Sequence, residues 1–175
     1  MTSRTALLAA FCTACDIGWA LEQPDSSLMT HYCSWHWLRT VMRTLDIPWF
    51  ECYTEMGAYD AKTEKGTHLY GNRPWILKLA RKCDRMQRTK LDSSDIAKVY
   101  EKNGRKKVDG GKGLKGTQSY TRLFGQTVAD CMASHTPQPF VFDAKAVDKV
   151  PMPALDPWRD CHLDCVLDFL KASVA

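Results

Sequence analysis

The sequence has no apolar run approaching the roughly 20 residues that are needed to span a bilayer. It also lacks a Gly-Lys-Ser/Thr phosphate loop, a dinucleotide-binding glycine fingerprint and any internal repeat. Residues 4–15 have the order of parts of a signal peptide, but Asp16 interrupts the apolar stretch and Trp19 stands where a small residue is wanted. We therefore expect an ordinary N-terminal helix and an intracellular protein that forms one domain over residues 1–175.

Apolar residues recur at helical spacing in several segments, and this predicts a mainly α fold, an irregular bundle of five or six helices. The helices are predicted over 3–20, 28–45, 74–88, 93–102, 118–134 and 157–173. The pattern also allows short edge strands near 49–53 and 140–142. Five of the eight prolines lie in residues 135–157, so that segment is predicted to be an extended arm.

Charge is strongly segregated along the chain. Residues 1–72 carry a net charge of −3, residues 73–122 carry +10 and residues 123–175 carry −3, for a total of +4. Such asymmetry constrains the partner rather than the fold, and a basic centre of this strength favours an anionic partner.

Two groups within the basic centre are predicted to contact phosphate. One group forms the polar face of the predicted helix 74–88 and comprises Lys78, Arg81, Lys82, Arg85 and Arg88. The other belongs to a Gly-rich loop at 104–116 and the helix start expected after it, and comprises Arg105, Lys106, Lys107, Lys112, Lys115 and Thr117. Glycines let backbone N–H groups approach an anion, and a helix start favours negative charge. Tyr100 and Tyr120 flank the loop and are candidates for stacking on bases.

These groups predict a non-enzymatic nucleic-acid binding or packaging protein, with RNA the favoured partner, which acts within a larger assembly. Little base specificity is expected, because no established base-reading motif is present. Acidic residues at strict four-residue spacing, namely Asp156, Asp160, Asp164 and Asp168, offer a surface for self-association. This surface also allows an alternative function, an assembly subunit that binds no nucleic acid.

Eight cysteines are present, and we expect most of them to be reduced and no cofactor to be bound. One alternative is a zinc site formed by Cys12, Cys15, Cys33 and His36, whose types and spacing suit tetrahedral zinc. Another pairs Cys161 and Cys165 with Cys12 and Cys15, as metal ligands or disulfides.

A catalytic alternative uses Cys33 as nucleophile, His135 as base and Asp143 as orienting group, in the order of a papain-like hydrolase. Cys33 stands near the start of a predicted helix, where the helix dipole stabilises a thiolate.

Overall fold

The computed structural model describes residues 2–91, 97–110, 119–136, 139–140, 144–147 and 149. Its α-helices are α1 Thr2–Ala14, α2 Cys33–Thr44, α3 Arg85–Lys90, α4 Arg122–Ala133 and α5 Ala144–Val147. Its strands are β1 Ala20–Pro24, β2 Phe50–Glu55, β3 Gly66–Gly71, β4 Ala97–Lys102 and β5 Arg105–Gly110. Short 3-10 helices span Met29–His31, Met56–Tyr59 and Pro74–Leu79. None of the helices in these ranges is long and apolar enough to cross a membrane.

A three-stranded antiparallel sheet in the order β1-β3-β2 organises the fold, and β4 and β5 form a separate antiparallel pair. The prediction of a mainly α bundle is therefore wrong: the protein is mixed α and β. The strand expected near 49–53 is present as β2, at one edge of the sheet. Phe140 lies outside any strand, and residues 141–142 lie outside the described ranges.

The sheet carries a hydrophobic core on each face, because side chains alternate along β3. Tyr70 points toward α1 and α2 and belongs to a core that includes Trp35, Leu38 and Met42. Leu69 points the other way, into a second core with Trp75, Ile76 and Leu79 and with Phe124 of α4.

The predicted helix over 74–88 is broken into two parts. Pro74–Leu79 forms a 3-10 helix whose Trp75, Ile76 and Leu79 are buried. The chain then runs extended beside β2, where the N–H of Glu55 donates to the carbonyl of Arg81 at 2.9 Å. A new helix, α3, begins after Asp84, whose carboxylate accepts the N–H of Gln87. In the middle of segment 74–88, hydrogen bonds to β2 therefore take the place of the helical hydrogen bonds that were expected.

The helix predicted over 93–102 is also wrong, since its C-terminal part is strand β4. The helix predicted over 3–20 ends at Ala14, followed by Asp16 with a φ of 58°, and residues 20–24 join the sheet as β1. The last predicted helix, 157–173, lies outside the described ranges, as does the acidic stripe that it carries.

One residue of the Pro-rich arm is fixed against the turn between α1 and β1. The backbone N–H of Phe140 donates to Oδ1 of Asp16 at 3.1 Å, and the Phe140 ring lies 4.0 Å from the guanidinium of Arg73. Arg73, whose side chain is only 5% exposed, also donates to Asp16 Oδ1 at 2.7 Å. These contacts join distant parts of the sequence to the end of β3.

Candidate nucleic-acid interface

The most basic part of the chain contains a tight β-hairpin. Strands β4 and β5 are joined by Asn103 and Gly104, whose φ angles are 55° and 70°. Two successive residues with positive φ define the type I′ turn, whose twist matches that of the flanking strands, and Asn-Gly is a favoured pair for it. The Gly-rich loop expected at 104–116 therefore begins as a strand.

The hairpin register gathers cations on one face. Tyr100 stands opposite Lys107, and Lys102 stands opposite Arg105. Because alternate residues of a strand share a face, these four belong to the same face of the hairpin. All four are exposed, with Tyr100 at 39%. We call Tyr100, Lys102, Arg105 and Lys107 the basic face.

The opposite face of the hairpin has a different character. The register places Glu101 opposite Lys106 and Val99 opposite Val108. Near the turn, the register therefore places three cations and no acid on the face that carries Tyr100, and the next pair on that face is Lys98 and Asp109.

The first predicted phosphate-binding group is not gathered on one helix face. Lys78 lies in the 3-10 helix and Arg85 in α3, and both are exposed. The guanidinium of Arg81 lies 4.6 Å from the ring centre of Tyr59, and Nζ of Lys82 lies 5.8 Å from that of Tyr53. These cations cover aromatic side chains of the fold rather than forming a shared surface.

Arg88, the fifth member of that group, is held by carboxylates. Its Nη2 donates to both carboxylate oxygens of Glu55, at 2.9 and 3.0 Å, and its Nη1 pairs with Glu64. Glu55 also accepts the backbone N–H of Cys83 at 2.6 Å. Burial opposes ionisation of Glu55, but these hydrogen bonds and the charge of Arg88 outweigh it and lower the pKa of Glu55. Arg88 therefore stabilises the attachment of α3 to β2.

Some predicted phosphate contacts cannot be placed. Lys112, Lys115 and Thr117 lie outside the described ranges, and the structure describes only the backbone of Lys106. The helix that the loop was expected to feed begins instead after Thr121, whose hydroxyl accepts the N–H of Phe124 at 3.1 Å. The predicted cap at Thr117 is therefore misplaced by four residues.

The structure does not join Cys33 and His135, the nucleophile and base of the catalytic alternative, by a hydrogen bond. Cys33 is exposed at the first residue of α2, and His135 is half-buried just beyond α4. Within the described ranges, no hydrogen bond joins these two residues, and Nε2 of His135 is buried without a partner. Asp143 lies outside those ranges.

The zinc alternative gains no geometric support. Across the part of the chain that the structure describes, no group of three or more His, Cys, Asp or Glu side chains is arranged to hold a metal. Burial, followed by the neighbouring Cys15, raises the pKa of the Cys12 thiol. Cys161 and Cys165 lie outside the described ranges.

The chain matches no protein-family model, and comparison with characterised proteins and with solved structures likewise finds no match.

Proposed function

We propose that this protein is a non-enzymatic nucleic-acid binding protein that holds single-stranded RNA or DNA on the basic face of its β-hairpin. The observation that carries the proposal is the placement of Lys102, Arg105 and Lys107 around the exposed Tyr100. Cations that track a phosphate backbone beside an aromatic ring are the usual elements of single-strand binding.

The spacing of the basic face suits a repeating anion. Residues two apart on one strand are separated by roughly 7 Å, and facing residues on the two strands by about 5 Å. Three cations within this area can contact successive phosphates, while Tyr100 offers a ring to a neighbouring base. Stacking of this kind tolerates any base, which agrees with the absence of a base-reading motif.

The test is binding of a fluorescent oligouridylate about twelve nucleotides long, followed by anisotropy at several salt concentrations. Engagement of three cations predicts a slope of about −2 for the logarithm of the association constant against that of the salt concentration. The triple variant K102E/R105E/K107E should bind more than tenfold more weakly.

A matched control separates a site from net charge. The variant K78E/R85E/K90E reverses three exposed cations outside the hairpin and changes the net charge by the same amount. It should retain most of the affinity. Equal losses in the two triple variants would contradict the proposal, because binding would then follow overall charge.

Tyr100 gives a second readout on the same assay. Replacing it by Ala should weaken binding by about 1–3 kcal/mol without changing the salt slope, because stacking releases no counterions. If Y100A bound as tightly as the unmodified protein, electrostatic contacts alone would account for the affinity, and stacking of a base on Tyr100 would be refuted.

A further inference from the structure

A groove of about 630 Å³ lies along the exposed side of α2. Its walls include His36, Arg39, Arg43, Asp46, Ile47 and Trp49. None of these residues belongs to the hairpin, so the groove is a separate feature of the surface. Its volume lies in the range of small-molecule sites and far exceeds what one inorganic phosphate fills.

Two arginines supply the groove with positive charge. Arg39 and Arg43 are four residues apart on α2, so their side chains lie on the same face, one turn apart. Both are exposed, and within the described ranges neither forms an ion pair with a carboxylate. A pair of guanidinium groups at this spacing can grip one phosphate with several charge-assisted hydrogen bonds.

The rest of the wall adds two further recognition elements. Trp49 is partly exposed, and the guanidinium of Arg39 lies 5.7 Å from its ring centre. An indole beside a guanidinium is a surface on which a planar ring can stack. Asp46 supplies a carboxylate, which accepts hydrogen bonds from hydroxyl or amino groups and disfavours a second anionic group nearby.

From this arrangement we propose that the α2 groove binds a nucleoside monophosphate, with its phosphate between Arg39 and Arg43 and its base against Trp49. Asp46 faces the sugar hydroxyls or the amino groups of the base. The ring of Trp49 is held in place because it packs edge-on against Trp35 at 5.1 Å and against Trp19 at 5.8 Å. The inference does not depend on the function proposed for the hairpin.

The test is calorimetric titration of the full chain with AMP, with inorganic phosphate and with adenosine. AMP should bind more tightly than either fragment. In the double variant R39Q/R43Q its affinity should fall about tenfold or more, since charge-assisted hydrogen bonds are removed. The control R4Q/K62Q removes two exposed cations elsewhere and should leave AMP affinity unchanged.

Three results would overturn the inference: no binding of AMP at millimolar concentration, binding no tighter than that of phosphate or of adenosine, or full affinity in R39Q/R43Q. The hairpin variant K102E/R105E/K107E should bind AMP normally. Failure of the groove and failure of the hairpin proposal are thus separate outcomes.

Discussion

Replacing Tyr59 by Phe should destabilise the protein through the loss of one buried hydrogen bond. Tyr59 is fully buried, and its hydroxyl donates to the carbonyl of Leu79 at 2.9 Å. The substitution keeps the ring, and with it the edge contact with Phe124 and the guanidinium of Arg81 above the ring. The change in stability therefore reports on the hydroxyl alone, within the second core.

The size of the effect follows from the fate of the Leu79 carbonyl. A typical buried hydrogen bond contributes about 1 kcal/mol, and a carbonyl left dry and without a partner costs about 1–3 kcal/mol. Burial is also the main reason that the pKa of Tyr59 is raised, which marks its hydroxyl as removed from water. We expect Y59F to lower the free energy of unfolding by about 1–3 kcal/mol.

The assay is urea-induced unfolding followed by tryptophan fluorescence, with Tyr32→Phe as control. Tyr32 is 54% exposed, so Y32F should change stability by less than about 0.5 kcal/mol. In thermal unfolding, each kcal/mol should lower Tm by about 2–4 °C for a chain of this size. If Y59F and Y32F were equally stable, the hydrogen bond to Leu79 would not contribute as argued.

Two further predictions concern packing and pH. Gly71→Ala should lower the free energy of unfolding by several kcal/mol, because its new Cβ would clash with Ile76 and with the carbonyl of Trp19. Gly125→Ala, in open space within α4, should instead raise it by about 0.5–1 kcal/mol. Thermal unfolding of both variants tests this, and equal shifts in Tm would refute it. Burial raises the pKa of Cys52 from 9.0 to about 11, so the unfolded chain loses this proton at lower pH than the folded chain does. The free energy of unfolding should therefore fall between pH 9 and 11, by up to about 1.4 kcal/mol per pH unit. If Cys52→Val showed the same dependence on pH, another group would be responsible.

Local periodicity predicted only part of the core: Met86, which shares the predicted apolar face of 74–88, is 68% exposed. Trp75, Ile76 and Leu79 are buried as their spacing indicated, but the helix does not continue beyond them. The spacing could not reveal that Arg81 would pair with β2, because that contact joins residues 26 positions apart in sequence. A non-local strand contact of this kind leaves little trace in a helical repeat.

Other errors had local signals. Asn103-Gly104 is a strong hairpin marker, and it follows the segment Ala-Lys-Val-Tyr-Glu-Lys, which contains the strand-favouring residues Val99 and Tyr100. Strand β3 is likewise bounded by Gly66 and Gly71. The composition of the hairpin segment indicates its positive charge, whereas its fold depends on the Asn-Gly turn. As a result Lys102, a member of the basic face, was absent from the predicted contacts.

The α2 groove illustrates what composition cannot reveal. Arg39 and Arg43 resemble ordinary solvated charges on the polar face of a helix. They become part of a concave site because the chain turns after α2 and places Trp49 beside them. The relevant neighbour thus comes from the next segment, and its position depends on the packing of three tryptophans.

The fold also changes what the charge of the basic centre means. Arg73 is buried against Asp16, and Arg88 is held by Glu55 and Glu64, so both cations are paired with carboxylates of the same chain. If all fifteen basic residues of 73–122 engaged a single strand, the salt slope would be about −10. The basic face alone gives about −2, so the slope measures how much of this charge the fold leaves for a partner.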